Sequence, residues 1–439
     1  MSKFYIFAFV VIFSITSVFS QGYSGGNGSE IEPYLIATKA DLKYLSEHPN
    51  DWNKYFKQTS DIYFDTLDFT SNGDFYNNGK GFTPIGNIID KFKGNYDGNN
   101  KAIYNIFINH PDTNYIGLFG YTVNAKIINL RLYNVRVKGR NFVGGLVGYN
   151  SYSYISKVSV TGDIQGVIGT GGLAGSNSFN SIVTESYASC NISCENSGAG
   201  GLIGINFDSS SVSSSFSNSK INGNSQVGGL VGLNNLYSKI SKCFANTDVK
   251  GKTYVGGLVG KNQNYSEIND CYSFSDVTRI NSNDITIGGF CGYNSDSAKI
   301  NTCYSKGKVY SSPGVIWNEN GAKNKGFIGF NMNGLFDNNY FDKESSEQNT
   351  AIGATGKTTT EMKTASTFVG WNFSRVWVIS SPITYEGYPT LRWTGGFAIA
   401  PSSNQISSVP NLIWIAEISS RWSGNYIQTV DIDMWASPS

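Results

Sequence analysis

One short phrase recurs eight times between Ile116 and Asn331. It reads GLFG at 117–120, GGLVG at 144–148, GGLAG at 171–175, GGLIG at 200–204, GGLVG at 228–232 and 256–260, GGFCG at 288–292 and GFIG at 326–329. Counted between Ile116, Gly144, Gly171, Gly200, Gly228, Gly256, Gly288 and Lys325, the steps are 28, 27, 29, 28, 28, 32 and 37 residues. A period in this range marks a solenoid or an array, because each unit is too small to bury a core alone and must stack on its neighbours. The chain has 439 residues, long for one globular core, but a solenoid is not bound by that limit.

The repeats superpose column by column. One variable residue after each phrase comes Asn: Asn150, Asn177, Asn206, Asn234, Asn262, Asn294 and Asn331. An aliphatic column follows, running from Ile127, Ile155 and Val183 to Ile300. Three residues on stand Leu130, Val158, Ser186, Ser215, Cys243, Cys271 and Cys303. Three short strands per coil of about 28 residues are expected, stacked in parallel at about 4.8 Å. Eight such coils make a rod section roughly 40 Å long. The phrase's Leu should point inward, and its Gly residues should allow positive φ or close backbone approach at a corner. With 50 Gly, 27 Tyr and 27 Phe, the composition suits turns and strands.

The flanks divide the chain further. Residues 1–20 carry Lys3, an apolar run and small residues before Gln21, the pattern of a cleaved signal peptide. No later stretch is long and apolar enough to span a membrane as a helix, so no span is expected after cleavage. Residues 21–33 read as a flexible lead-in. Residues 34–92 read as an N-terminal cap, with a short helix near 39–48 announced by Thr38 and Asp41. The repeat solenoid should occupy 93–332, with Asp97-Gly98-Asn99 as a turn between strand-like runs. Residues 333–393, rich in Trp, read as a C-terminal coil and cap, and 394–403 as a linker. A second, longer period then emerges. Leu42, Trp52, Gln58, Thr59, Asp61 and Ile62 return as Leu412, Trp422, Gln428, Thr429, Asp431 and Ile432, each shifted by 370, and Ile36 returns as Ile406. Residues 404–439 are therefore expected to begin a second copy of the whole module, from a longer natural chain or as a relic.

These motifs resemble the GLUG-motif family, named for its Gly-Leu-x-Gly repeat. FTPIGN and FKGNYDGN before the array, and FVGWNFSRVWVI and GYPTLRW after it, are similar to what surrounds such repeats. The resemblance implies a right-handed parallel β-solenoid in a secreted or surface protein, as in filamentous-haemagglutinin-like adhesins and some bacterial immunoglobulin A peptidases. The layout is similar to that of large surface proteins of Bacteroidetes-type bacteria. Ile116 and Lys325 in the first-Gly place, and Phe290 and Phe327 in the Leu place, depart from the pattern and imply irregular end coils.

Residue patterns that carry chemistry are few. Net charge is +1 without a Lys/Arg run, so no nucleic-acid partner is expected. The two His, His48 and His110, are far apart in sequence, and HExxH is absent. The column before the Cys column reads Asn129, Lys157, Glu185, Ser214, Lys242, Asp270 and Thr302. Its two acids lie three coils apart, about 14 Å, too far for a glycosidase pair at about 5–9.5 Å. The nonapeptide calcium repeat is missing, and no cofactor or metal is expected. Cys190 and Cys194 could pair with each other; Cys243, Cys271 and Cys303 read as small core residues. One column remains as a candidate binding stripe: Tyr187, Phe216, Phe244, Tyr272 and Tyr304. It should either face a glycan or a host or cell-surface protein, or stack under the Trp-rich cap. The sequence thus points to a non-catalytic adhesin-like stalk that binds through an extended solenoid face. A carbohydrate-active β-helix enzyme and a plain spacer are the alternatives.

Overall fold

A computed structural model describes residues 22–281, 283–318, 324–379, 386–394, 405–406 and 426–428. The expected signal peptide and most of the expected second copy lie outside them. An all-parallel sheet of eight strands, from Phe119–Val123 to Ile328–Met332, lines one side of a β-solenoid. Equivalent residues pair coil to coil, as in Asn177 with Asn206, Val183 with Val212, and Tyr187 with Phe216.

Three corners divide each regular coil into three stretches, and each corner uses the left-handed region. In the sixth coil they are Tyr254 at φ 52°, Asn264 and Tyr265 at 54° and 61°, and Asp270 at 54°. The column that holds Glu185 and Asp270 is therefore a corner, with φ between 45° and 57° from Asn129 to Thr302. Asp97-Gly98-Asn99 also forms a corner rather than a hairpin. The strand on either side of it pairs in parallel with the same next coil, 95–97 with 126–128 and 101–104 with 130–133.

The core runs up the middle. Leu146, Leu173, Leu202, Leu230 and Leu258 are fully buried, and Phe290 stacks on Phe327 at 4.5 Å where the pattern departs from Leu. The phrase's glycines serve close approach. Gly201 is not left-handed, but a Cβ there would run into the carbonyl of Gly229 on the next coil and the side chain of Ser217. The longer steps at the end of the array accommodate Trp317, held between Arg279 at 4.6 Å and Lys325 at 5.3 Å. Lys325 is buried, its Nζ donating to the carbonyls of Ile285 and Gly329.

Polar columns bind the coils along the axis. Each Asn amide donates to the next Asn carbonyl, at 2.8–3.0 Å from Asn150 through Asn331, with Thr122 opening the ladder. Asn150 through Asn294 are fully buried, so these bonds satisfy groups that water cannot reach. The Cys column works in the same way. The N–H of Ser186 donates to Ser215 Oγ, that of Cys243 to Cys271 Sγ, that of Cys271 to Cys303 Sγ, and that of Cys303 to Asn339 Oδ1. In the Ser and Cys members of this column, small size thus goes together with an acceptor for the neighbouring coil's N–H.

At the N-terminus the helix Lys39–Glu47 carries the expected capping box, Thr38 with Asp41. Its end is met by His48, which stacks on Tyr44. Near the C-terminus, Gln405 pairs with Ile427 and Ile406 with Gln428, in parallel. In the N-terminal cap, Leu35 pairs with Lys57 and Ile36 with Gln58. The two registers differ by 370 throughout (406 − 36 = 370; 428 − 58 = 370).

Candidate binding faces

The five aromatics singled out above form one stack. Ring centroids lie 4.9 Å apart for Tyr187 and Phe216, 4.8 Å for Phe216 and Phe244, 4.8 Å for Phe244 and Tyr272, and 5.4 Å for Tyr272 and Tyr304. Phe244, Tyr272 and Tyr304 are nevertheless buried, so these three are not an open platform. The strap that covers them is the Trp-rich segment, described over 366–379 and 386–394. It lies along the side of the stack as well as at its end. Trp377 is fully buried, 6.2 Å from Tyr272 and 6.1 Å from Tyr304, while Trp371 lies 6.1 Å from Tyr304.

Hydrogen bonds set the strap's register. The indole N–H groups of Trp371, Trp377 and Trp393 donate to Asn338 O, Asp270 Oδ1 and Lys242 O, three members of one left-handed corner column. Tyr304 Oη donates to Pro389 O at 2.5 Å. Tyr388 Oη donates to the buried carboxylate of Asp342, which also accepts from Thr359 Oγ1 and the amides of Glu344 and Ser345. The strap wins over solvent because burying each large aromatic side chain contributes about 1.5–3 kcal/mol. Tyr187 and Phe216, at the far end of the stack, stay partly buried, with the Phe216 ring 6.4 Å from that of Trp393.

The stretch after the stripe builds another face. Residues 107–109, 136–138, 163–165, 191–193, 220–222 and 248–250 lie side by side over five coil steps, about 24 Å. They line a shallow groove of about 800 Å³. Every second residue is buried (Val137, Ile164, Ile192, Ile221, Val249), so the ones between must face out. Those include Arg136, Lys138, Lys220 and Lys250 against Asp163 and Asp248, a basic excess of two (4 − 2 = 2). Pairing within the face is sparse: Asn191 donates to Asp163, Lys250 lies 3.3 Å from Asp248, and Arg136 stands over the Phe107 ring. The alternation was legible in Arg136-x-Lys138 and Asp248-x-Lys250. The side-by-side placement was not, because neighbouring strands are separated by whole coils in sequence.

The other candidates are used structurally. Glu185 lies 3.9 Å from Lys157, and Asp270 accepts from Thr302 and Trp377. Cys190 and Cys194 are free and buried, which corrects the pairing left open above. Four residues apart on one strand, they are separated by about 13 Å, beyond a disulfide's reach of about 7 Å. Burial pushes the Cys190 thiol up to about 12 and those of Cys243 and Cys271 well up, which keeps them protonated. Burial pushes His110 down, helped by Lys80. Among the described residues no group of three or more His, Cys, Asp or Glu could hold a metal ion, and no helix is long and apolar enough to cross a membrane.

Known proteins share a motif and stretches of sequence with this chain. The family described as "The GLUG motif" matches residues 251–278. Halomucin of Haloquadratum walsbyi is 36% identical over 172 residues, 38% of this chain and 2% of that protein. A protein of Evansella cellulosilytica, provisionally described as a Gly-rich membrane protein, is 33% identical over 155 residues, 35% of this chain and 17% of its own. The chain therefore spans a small part of either relative. A solved structure from Bacteroides ovatus, provisionally described as an immunoglobulin A1 protease, aligns with 84% of this chain and 95% of its own at 17% identity and a TM-score of 0.47. With coils that stack in register, and a motif match across one of them, the chain is a β-solenoid that carries the GLUG motif at residues 251–278.

Proposed function

We propose that this chain is a non-catalytic, secreted or cell-surface repeat protein, an adhesin-like stalk that binds through an extended face of its solenoid. The observation that carries the reading is the groove over 107–250, six parallel strands presenting charged and amide side chains outward with few internal pairs. Such a face offers many weak contacts along a line, which suits an extended partner, a glycan or a surface protein. The names of the two relatives, a mucin and a membrane protein, support a place at the cell surface. The two acids of the corner column, Glu185 and Asp270, are engaged by Lys157 and by Thr302 and Trp377, which supports a structural role for that column.

The basic excess selects an anionic probe. Binding of the chain to immobilised heparin and mucin should weaken as salt rises. The triple variant Lys138→Glu, Lys220→Glu, Lys250→Glu should bind at least about tenfold less, since three exposed charge contacts at about 0.5 kcal/mol each amount to about that factor. Unchanged binding in the variant would sink the groove as the site. Release of reducing or unsaturated ends from a polysaccharide panel would overturn the non-catalytic reading.

A further inference from the structure

The corner that follows the Asn ladder carries a feature that neither the groove nor the strap uses. Its two residues are both left-handed in successive coils: Asp208 and Ser209, Leu236 and Tyr237, Asn264 and Tyr265, Asp296 and Ser297, with φ between 51° and 61°. Backbone bonds lock these corners onto one another, Ser209 N to Leu236 O, Tyr237 N to Asn264 O, and Tyr265 N to Asp296 O. Left-handed backbone disfavours a bulky side chain and tolerates Asn. Asn180 and Ser209 occupy this same position in other coils, so the corner itself does not call for an aromatic. Yet Tyr237 and Tyr265 stand there, 54% and 55% exposed, burying little in return for that conformation.

The two rings are stacked, centroids 5.3 Å apart and planes within 7°. One face of each ring is therefore covered by the other. The outer faces look along the axis toward the neighbouring coils, where the equivalent residues are Ser209 and Ser297. A serine is too short to cover a phenol ring, so both outer faces are open among the described residues. Beside them lie Asp208 on one side and Asp296 on the other, and Asn264, whose amide donates to Asn235. The surround is hydroxyl, amide and carboxylate, with Leu236 the one apolar neighbour in the corner and partly buried. A protein hot spot is expected to sit inside an apolar, water-excluding rim. This site lacks that rim and fits a ligand with one apolar face and a hydroxylated edge.

We propose that Tyr237 and Tyr265 form a glycan-binding pair, each outer ring face taking the C–H face of a neutral pyranose while Asp208 and Asp296 accept its hydroxyls. The carboxylates disfavour acidic sugars, so the ligand class is a neutral hexose or N-acetylhexosamine polymer. Two faces on one rod would let a polymer with repeated units engage more tightly than a single unit. The site lies apart from the groove, so either can fail alone.

The test is titration with chitopentaose, cellopentaose and mannopentaose, followed by saturation-transfer NMR and tyrosine fluorescence. The double variant Tyr237→Asn, Tyr265→Asn keeps residues that favour the left-handed corner, and circular dichroism verifies its fold. The expected result is binding of at least one neutral oligosaccharide by the parent chain, a loss of at least about tenfold in the double variant, and unchanged binding in the groove variant. No binding of any of the three, or equal binding in the double variant, would overturn the proposal. Stronger binding of heparin than of the neutral probes at these tyrosines would overturn the ligand class.

Discussion

At the scale of residues, stacking turns one side-chain choice into a repeated bond. An Asn at the ladder position satisfies a buried carbonyl and a buried amide at once, and the next Asn does the same for it. The Ser/Cys column shows that the requirement there is chemical as well as steric. Cys271 accepts from the N–H of Cys243 and passes its own S–H to the carbonyl of Asn269. Cys271→Ser keeps an acceptor and a donor, as Ser215 does naturally, and should cost less than about 1 kcal/mol. Cys271→Val keeps size but strands the Cys243 N–H, and should cost about 1–3 kcal/mol more. Chemical unfolding of the two variants checks this; equal stability would leave packing as the whole account.

At the scale of elements, the strap is a second core laid along the solenoid rather than a plug in its end. Three indole N–H groups read one corner column, and their rings cover the aromatic stack beside it. Because each coil is held by its own neighbours, this layer should detach without dissolving the rod. Trp377→Ala removes a fully buried side chain and should cost about 3–5 kcal/mol, localised in the strap. Limited proteolysis should then cut within 366–394, while amides of the Asn-ladder strands keep their hydrogen-exchange protection. Simultaneous loss of protection throughout would show that strap and rod unfold as one. The Trp content of 366–393 was legible as a cap, and the aromatic column was legible as a stripe. That one covers the other was not, because their contacts span gaps such as that between Asp270 and Trp377, set by three-dimensional stacking.

At the scale of the whole molecule, the tail repeats the N-terminal cap at its buried positions. Ile36, Leu42, Trp52, Gln58 and Ile62 are all buried, and these are the residues that return as Ile406, Leu412, Trp422, Gln428 and Ile432. The pairing of 405–406 with 427–428 keeps the cap's register. We propose that residues 404–439 open a second copy of the module. A chimera with 404–432 in place of 34–62 should then fold, with the circular dichroism of the parent and a single extended solenoid. Failure to fold would mean that the shared anchors do not suffice for a cap.

The sequence by itself determined the coil. Its period, its inward Leu and aliphatic columns, and its Asn positions follow from the need of each repeat to bury its apolar side on the next, and that need is written locally in every unit. Only the tertiary structure decided which columns face water. Every outward column is equivalent as far as one coil is concerned. The difference arises when a segment a hundred residues away lies down on one of them, as the strap does on Phe244, Tyr272 and Tyr304, and leaves the groove and the Tyr237–Tyr265 corner open.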